Sequence, residues 1–212
     1  QISPSILRSS ERNRHEEALY QSHCQSGYDT ARRAGTLSSP VLEAIRHHHE
    51  RFDGRGFPDR LSGSAIPLTA RIVAIANRFD NLVNPLDPRR ALSPSEALSV
   101  LWTRERAACD QHLLQLFIRG MGVYPPGSIV RLTDGRIAAV VAAASADRPL
   151  LPTVMVYAPE VPRQQSIILD LAQTDDLGVE RALRLQERSV EELDYLLPRR
   201  KISWSHLAER RC

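Results

Sequence analysis

The residues with the densest chemical potential lie at His47-His48-His49-Glu50-Arg51-Phe52-Asp53-Gly54-Arg55-Gly56-Phe57-Pro58. Imidazole nitrogens bind transition metals, transfer protons near neutral pH and donate to phosphate oxygens. Consecutive residues on an α-helix project about 100° apart. On a continuous helix, His48 and His49 therefore reach two metals, or one metal and one phosphate, but not one metal side by side. His47 faces yet another direction. The glycine-bearing loop that follows lets backbone amides come close to a charged ligand. The plainer alternative is a surface histidine cluster ahead of a tight turn, since isolated histidines are more often solvated than ligating.

These side chains must be positioned by helices. Glu16 to Tyr20 and Tyr28 to Ala34 read as helical segments, with Gly35 as a stop. Pro40 opens Val41-Leu42-Glu43-Ala44-Ile45, whose apolar spacing predicts a helix continuing through His47-His48-His49-Glu50. Residues 53–67 are rich in Gly and Pro and read as a loop. Pro67 to Leu82 predicts a helix with Leu68, Ile72, Ile75, Ala76 and Phe79 on one stripe. Residues 84–94 hold three prolines and form another loop. Ser93-Pro94-Ser95-Glu96 is a capping-box pattern that starts a helix through Trp102, and Leu113 to Arg119 is one more. After Gly120 the pattern changes. Ser128 to Leu132, Arg136 to Ala142, Pro152 to Ala158 and Ile167 to Leu171 read as strands, the first two joined by an Asp134-Gly135 turn. Residues 176–197 read as helical, and the last fifteen as a polar, basic tail. The fold class expected is mainly α: a helical bundle over 1–120, a small antiparallel β module over 121–173, and a helical segment with a tail over 174–212.

Composition narrows the function classes. The chain has 212 residues, 42% of them apolar and 25% charged, which is ordinary for a globular protein. Lys plus Arg is 28 against 25 Asp plus Glu, and the net charge of +3 is too small to argue for nucleic-acid binding. The one lysine is Lys201, so the basic side chains are nearly all arginine, whose planar forks suit phosphate and carboxylate. Cys24, Cys109 and Cys212 are far apart and odd in number, which predicts neither a disulfide framework nor a zinc spacing. The longest apolar run, Ile137 to Ala144, is too short to span a bilayer, and no signal peptide is visible. A cytoplasmic location is expected. The first residue is Gln rather than Met, which reads as a fragment.

The string His48-His49-Glu50 through Asp53-Gly54-Arg55-Gly56-Phe57-Pro58 resembles the HHE…DGxGYP signature of the HD-GYP family, with Phe57 where tyrosine is usual. The similarity continues through Gly63, Ile66-Pro67-Leu68, Ala70-Arg71-Ile72-Val73-Ala74-Ile75-Ala76 and Phe79-Asp80. Upstream, His23-Cys24-Gln25-Ser26-Gly27 resembles the family's HxxxG helix. Downstream, Ala91-Leu92-Ser93-Pro94-Ser95-Glu96-Ala97 resembles its ALSPEEA helix start. The likeness covers residues 1 to about 122. Tyr124-Pro125-Pro126-Gly127-Ser128-Ile129-Val130-Arg131-Leu132 is similar to a strand appended to one subgroup.

The resemblance implies an HD-type helical bundle in which histidines and aspartates bind divalent transition metals, iron or manganese foremost, and hydrolyse cyclic di-GMP. It implies metal ligation by His23, His48, His49 and the residue at 77, substrate contact from Arg89, Gly54 and Gly56, and a loop motif of Asp53, Gly54, Gly56, Phe57 and Pro58. It also raises a GGDEF-type cyclase as a protein partner. Three departures stand out. Asn77 replaces an aspartate ligand. The His-Asp dyad would lie just before Gln1, because Gln1 to Leu7 resembles the segment that follows it. Leu86-Asp87-Pro88-Arg89 aligns with a family string that carries two phosphate-gripping cations, leaving only Arg89.

These features lead to a degenerate HD-GYP protein of cyclic di-GMP signalling, working as a regulatory or protein-interaction module with its metal partial or absent. The alternative is an active phosphodiesterase whose dyad lies outside this chain. A third reading is hydrolysis of some other phosphodiester by a relaxed metal site.

Overall fold

In the computed structural model, residues 11–85 and 87–197 are described, together with Ser3, Ile6 and Ser9. The Gln1 to Leu7 similarity therefore lies largely outside the described residues, and Leu86 and the tail from 198 onward lie wholly outside them. The chain divides into two compact units, residues 1–126 and 127–212.

The first unit contains six helices among its described residues: α1 Arg14–Gln21, α2 His23–Ala34, α3 Ser39–His47, α4 Leu68–Val83, α5 Pro94–Thr103 and α6 Gln111–Met121. Their ends are set by local chemistry. Asn13 and Glu16 form a capping box at α1, and Ser93 and Glu96 form another at α5 with Pro94 in its first turn. Asp110 caps α6 by accepting the amides of His112 and Leu113. Gly35 ends α2 at φ 71°, a left-handed conformation that glycine adopts without a Cβ penalty. Ile75, Leu101, Cys109 and Leu114 form a core over which Phe79, Leu82, Trp102, Leu113, Phe117 and Ile118 pack.

Two expectations for these helices change. Helix α3 ends at His47, with His48 as its C-cap, rather than running on through Glu50. The amide of Glu50 bonds the His47 carbonyl, which tightens the chain into a turn. The stripe on α4 is also differently placed. Ile75 is buried and Phe79 packs on the core, but Leu68 and Ile72 are 54% and 49% exposed. The helix instead turns Arg71, Ala74, Ile75, Asn77, Arg78 and Asn81 toward a cavity, so its packing face is narrower than its apolar pattern.

The second unit is a five-stranded antiparallel sheet in the order β4-β3-β2-β1-β5, from β1 Ile129–Leu132, β2 Ile137–Ala142, β3 Thr153–Val156, β4 Ile168–Asp170 and β5 Val179–Leu183. Gly135, at φ 89°, turns the β1–β2 hairpin. Helix α7, Val190–Leu196, supplies Leu196 to a core with Ile129, Ala139, Met155 and Leu183. The helical reading of 176–197 is thus corrected over its first half. Glu180, Arg181 and Ala182 favour helix in isolation, but β5 pairs along β1, matching Ile129 with Leu183 and Val130 with Ala182. Pairing to an existing edge overrides local preference.

Leu101 is fully buried in the first unit's core. Leu101→Ala is expected to destabilise by about 2–5 kcal/mol through lost contacts and a cavity, seen as a lowered urea midpoint at unchanged slope.

Candidate functional site

His23, Cys24, His48 and His49 converge at the ends of helices. Each offers one ligand atom, and these four atoms lie within 4.8 Å of one another. The carbonyls of a helix's last turn have no partner within the helix. His23 Nδ1 takes up the Tyr20 carbonyl at the end of α1, at 2.6 Å, and His48 Nδ1 the Ile45 carbonyl at the end of α3, at 2.8 Å. A carbonyl oxygen only accepts, so both Nδ1 atoms carry the proton of the neutral ring. Both Nε2 atoms are then bare lone pairs, and they face each other at 3.3 Å.

Two lone pairs at that distance repel unless a proton or cation stands between them. Protonation of His48 and His49 is opposed here. Burial, with help from His23, lowers the His48 pKa, and burial, then His48 and His23, pushes His49 down to about 3. A divalent metal relieves the repulsion instead, and tying Nδ1 to a carbonyl is how metal-binding histidines are commonly oriented. The donor set fits such an ion.

The turn at His48 accounts for this convergence. Because α3 stops at His47, the backbone leaves the helix between His48 and His49, and their ring centroids come to 4.2 Å. The expectation that adjacent histidines could not serve one metal assumed a continuous helix and is corrected. His47 goes elsewhere: its Nε2 lies 2.9 Å and its Nδ1 3.1 Å from carboxylate oxygens of Asp59 and Glu43. It braces the loop, together with Arg46 on Asp59 and the Asp59 amide donating to Glu50 at 2.7 Å.

The loop motif closes over the histidines. Gly56 passes so near the chain that a Cβ there would lie 2.4 Å from the Arg51 nitrogen and 2.6 Å from the His49 oxygen. Phe57 stacks on His49 with centroids 4.7 Å apart, so the ring, rather than a tyrosine hydroxyl, is what this contact uses. Asp53 is forked by Arg51 and accepts the Arg55 amide, and the hydrogen bond from Arg51 leads in holding its carboxyl below the usual range. Gly54 turns the chain at φ 76° beside Ser62.

A cavity of about 430 Å³ adjoins the cluster, lined by His48, His49, Gly56, Phe57 and Asn77 among others. Gly54, Asp53, Pro58 and Arg89 are not among its lining residues. Arg89 is 89% exposed and folds onto Asp87. The arginines that do line the cavity are Arg51, Arg55, Arg71 and Arg78. The sequence reading noted the arginine-rich composition but not this convergence. The i, i+3, i+7 spacing of Arg71, Ala74 and Arg78 on α4 carried the signal. Cys24 was also missed as a donor, because its adjacency to His23 matches no common ligand spacing.

A family model for the HD domain matches residues 2–113. The chain belongs to the HD domain family. Among curated proteins, it is similar to the cyclic di-GMP phosphodiesterase PA4108 of Pseudomonas aeruginosa, 30% identical over 59% of this chain and 30% of that protein. It is 42% identical to the cyclic di-GMP phosphodiesterase response regulator RpfG of Xanthomonas campestris pv. campestris over 38% of this chain and 21% of the relative. A third relative, the 3'3'-cGAMP-specific phosphodiesterase 1 of Vibrio cholerae, is 35% identical over 41% of this chain and 20% of its own length. The chain thus spans less than a third of each of these relatives. The HD-GYP resemblance is upheld, and it falls in the HD-domain unit. No helix among the described residues is long and apolar enough to cross a membrane.

Gly56→Ala is expected to push the loop off His49 and lower bound metal per chain at least about tenfold, with helical content preserved. Metal analysis beside circular dichroism checks both parts.

Proposed function

We propose that this HD domain binds a cyclic dinucleotide, cyclic di-GMP foremost, beside a metal held by the histidine cluster, and that it does so with little or no hydrolysis. It then acts as a ligand-sensing or protein-interaction module of cyclic di-GMP signalling, in the cytoplasm. The observation that carries this reading is the state of the carboxylates around the cavity. Glu50 accepts the Asp59 amide, Glu105 is forked by Arg78, and Asp110 takes Arg71 while capping α6. Each lining carboxylate is engaged, and Asn77, on the same wall, brings an amide where the family carries a carboxylate.

Every further metal brings a charge of +2 that low-dielectric surroundings must balance. With Glu105 and Asp110 paired to arginines and Glu50 holding the Asp59 amide, the cavity wall is weighted toward cationic and neutral groups, which favour a phosphodiester anion over additional cations. Arg55 is exposed beside the cavity, and its side chain has no hydrogen bond or ion pair among the described residues, which leaves its fork open to a phosphate. Arg51, Arg71 and Arg78, which also line the cavity, are held in place by Asp53, Asp110 and Glu105. A bound divalent cation would add positive charge beside the phosphodiester. The relatives' names support the substrate class, and the departure at Asn77 supports impairment. The surface of the Asp53 to Pro58 loop is where a GGDEF-type partner would dock on this reading.

The unmodified chain is expected to bind cyclic di-GMP in calorimetry without releasing linear dinucleotide or GMP when supplied with Fe(II) or Mn(II). Steady product formation would put the active phosphodiesterase first. Arg55→Ala should weaken binding about 10- to 100-fold, the value of a charge-assisted hydrogen bond, and reduce its salt dependence. Asn77→Asp should raise metal content more than turnover.

A further inference from the structure

We infer that Cys24 is a protein ligand of the metal, completing the three histidines into a mononuclear centre of three nitrogens and one sulfur that suits zinc. This rests on reading the histidine cluster as a metal centre and specifies which centre it is. Cys24 sits on α2 directly after His23 and is fully buried. Its Sγ lies 3.6 Å from His23 Nε2, which itself lies 3.3 Å from His48 Nε2.

Those two separations can be compared with an ideal zinc site. Bonds of about 2.05 Å to nitrogen and about 2.3 Å to sulfur, at the tetrahedral angle, give edges of about 3.35 Å between nitrogens and about 3.6 Å between nitrogen and sulfur. An octahedral site with the same bonds gives edges of only about 2.9 and 3.1 Å. These two separations match the edges of the tetrahedron. All four donor atoms lie within 4.8 Å of one another, up to about 1.5 Å beyond a tetrahedral edge, and side-chain adjustment would close that gap as the ion binds.

A buried free cysteine is commonly just a small apolar side chain. Cys24, however, sets its Sγ against the His23 imidazole nitrogen with two more imidazoles within reach, a clustering of donors that packing alone does not require. Sulfur also changes the preference of the site. Thiolate with imidazole favours zinc over the harder ions that carboxylate-rich sites select. Binding expels the thiol proton to solvent as the metal–sulfur bond forms. With four protein ligands, no position is left open for a water or a substrate oxygen, as in structural rather than catalytic zinc sites. The centre then ties α2 to the turn after α3 and holds the cavity wall in shape.

The test loads the metal-free chain with Co(II). The wild type should show a thiolate-to-cobalt charge-transfer band in the near ultraviolet and intense visible bands of a tetrahedral ion. Cys24→Ser should lose the ultraviolet band and bind zinc at least about tenfold more weakly. Unchanged spectra and affinity in Cys24→Ser would overturn the inference while leaving a histidine-only metal centre standing. Failure of the wild type to bind Co(II) or zinc at all would overturn the metal centre itself. Zinc-edge absorption fine structure on the wild type decides the matter without a variant. One sulfur at about 2.3 Å supports the inference, and a shell of nitrogen and oxygen alone overturns it.

Discussion

Two imidazole lone pairs facing each other at 3.3 Å constrain everything around them. The arrangement follows from how helices end. Each helix terminus leaves carbonyls that need donors, and His23 and His48 supply them with Nδ1–H from α1's and α3's last turns. Satisfying the backbone thereby fixes the tautomer, and the tautomer aims Nε2 inward. A cation between the rings turns a repulsive contact into the strongest local tie.

The surroundings divide the remaining work by charge. Behind the rings, His47, Asp59, Arg46 and Glu50 form a polar brace that sets the path of the loop. Over them, Gly56 and Phe57 bring the loop down onto His49. In front, arginines hold the acids that would otherwise compete for metal. The outcome is a cluster of donors that could hold a cation, beside a cavity lined by four arginines. Asn77 fits the same pattern: it adds an uncharged amide to the wall, and its neighbour Arg78 forks Glu105.

Much of this was legible in the sequence, and the limits are instructive. The capping box at Ser93 and the glycine stop at 35 gave helix ends, because those signals act within four residues. The hairpin at Asp134-Gly135 was readable for the same reason. Strand β5 was not, since Glu180 to Ala182 take their conformation from pairing with β1, some fifty residues earlier. His23, His48 and His49 were singled out through a long family string, but their geometry was misjudged by extending α3 three residues too far. Arg89 was chosen as the phosphate contact by alignment, and the cavity instead turns to Arg55 and the arginines of α4. Cys24 carried no spacing signal at all, because its partners come from another helix and a turn.

The central claim is that the chain's own residues hold one metal ion at the histidine cluster. Diffraction from crystals grown with zinc or iron, with anomalous difference maps on either side of the metal edge, tests it most directly. One peak per chain, about 2.0–2.2 Å from Nε2 of both His23 and His48, is the result expected. Two or more peaks extending toward Asn77 and Glu50, or no peak between the histidines, would contradict it.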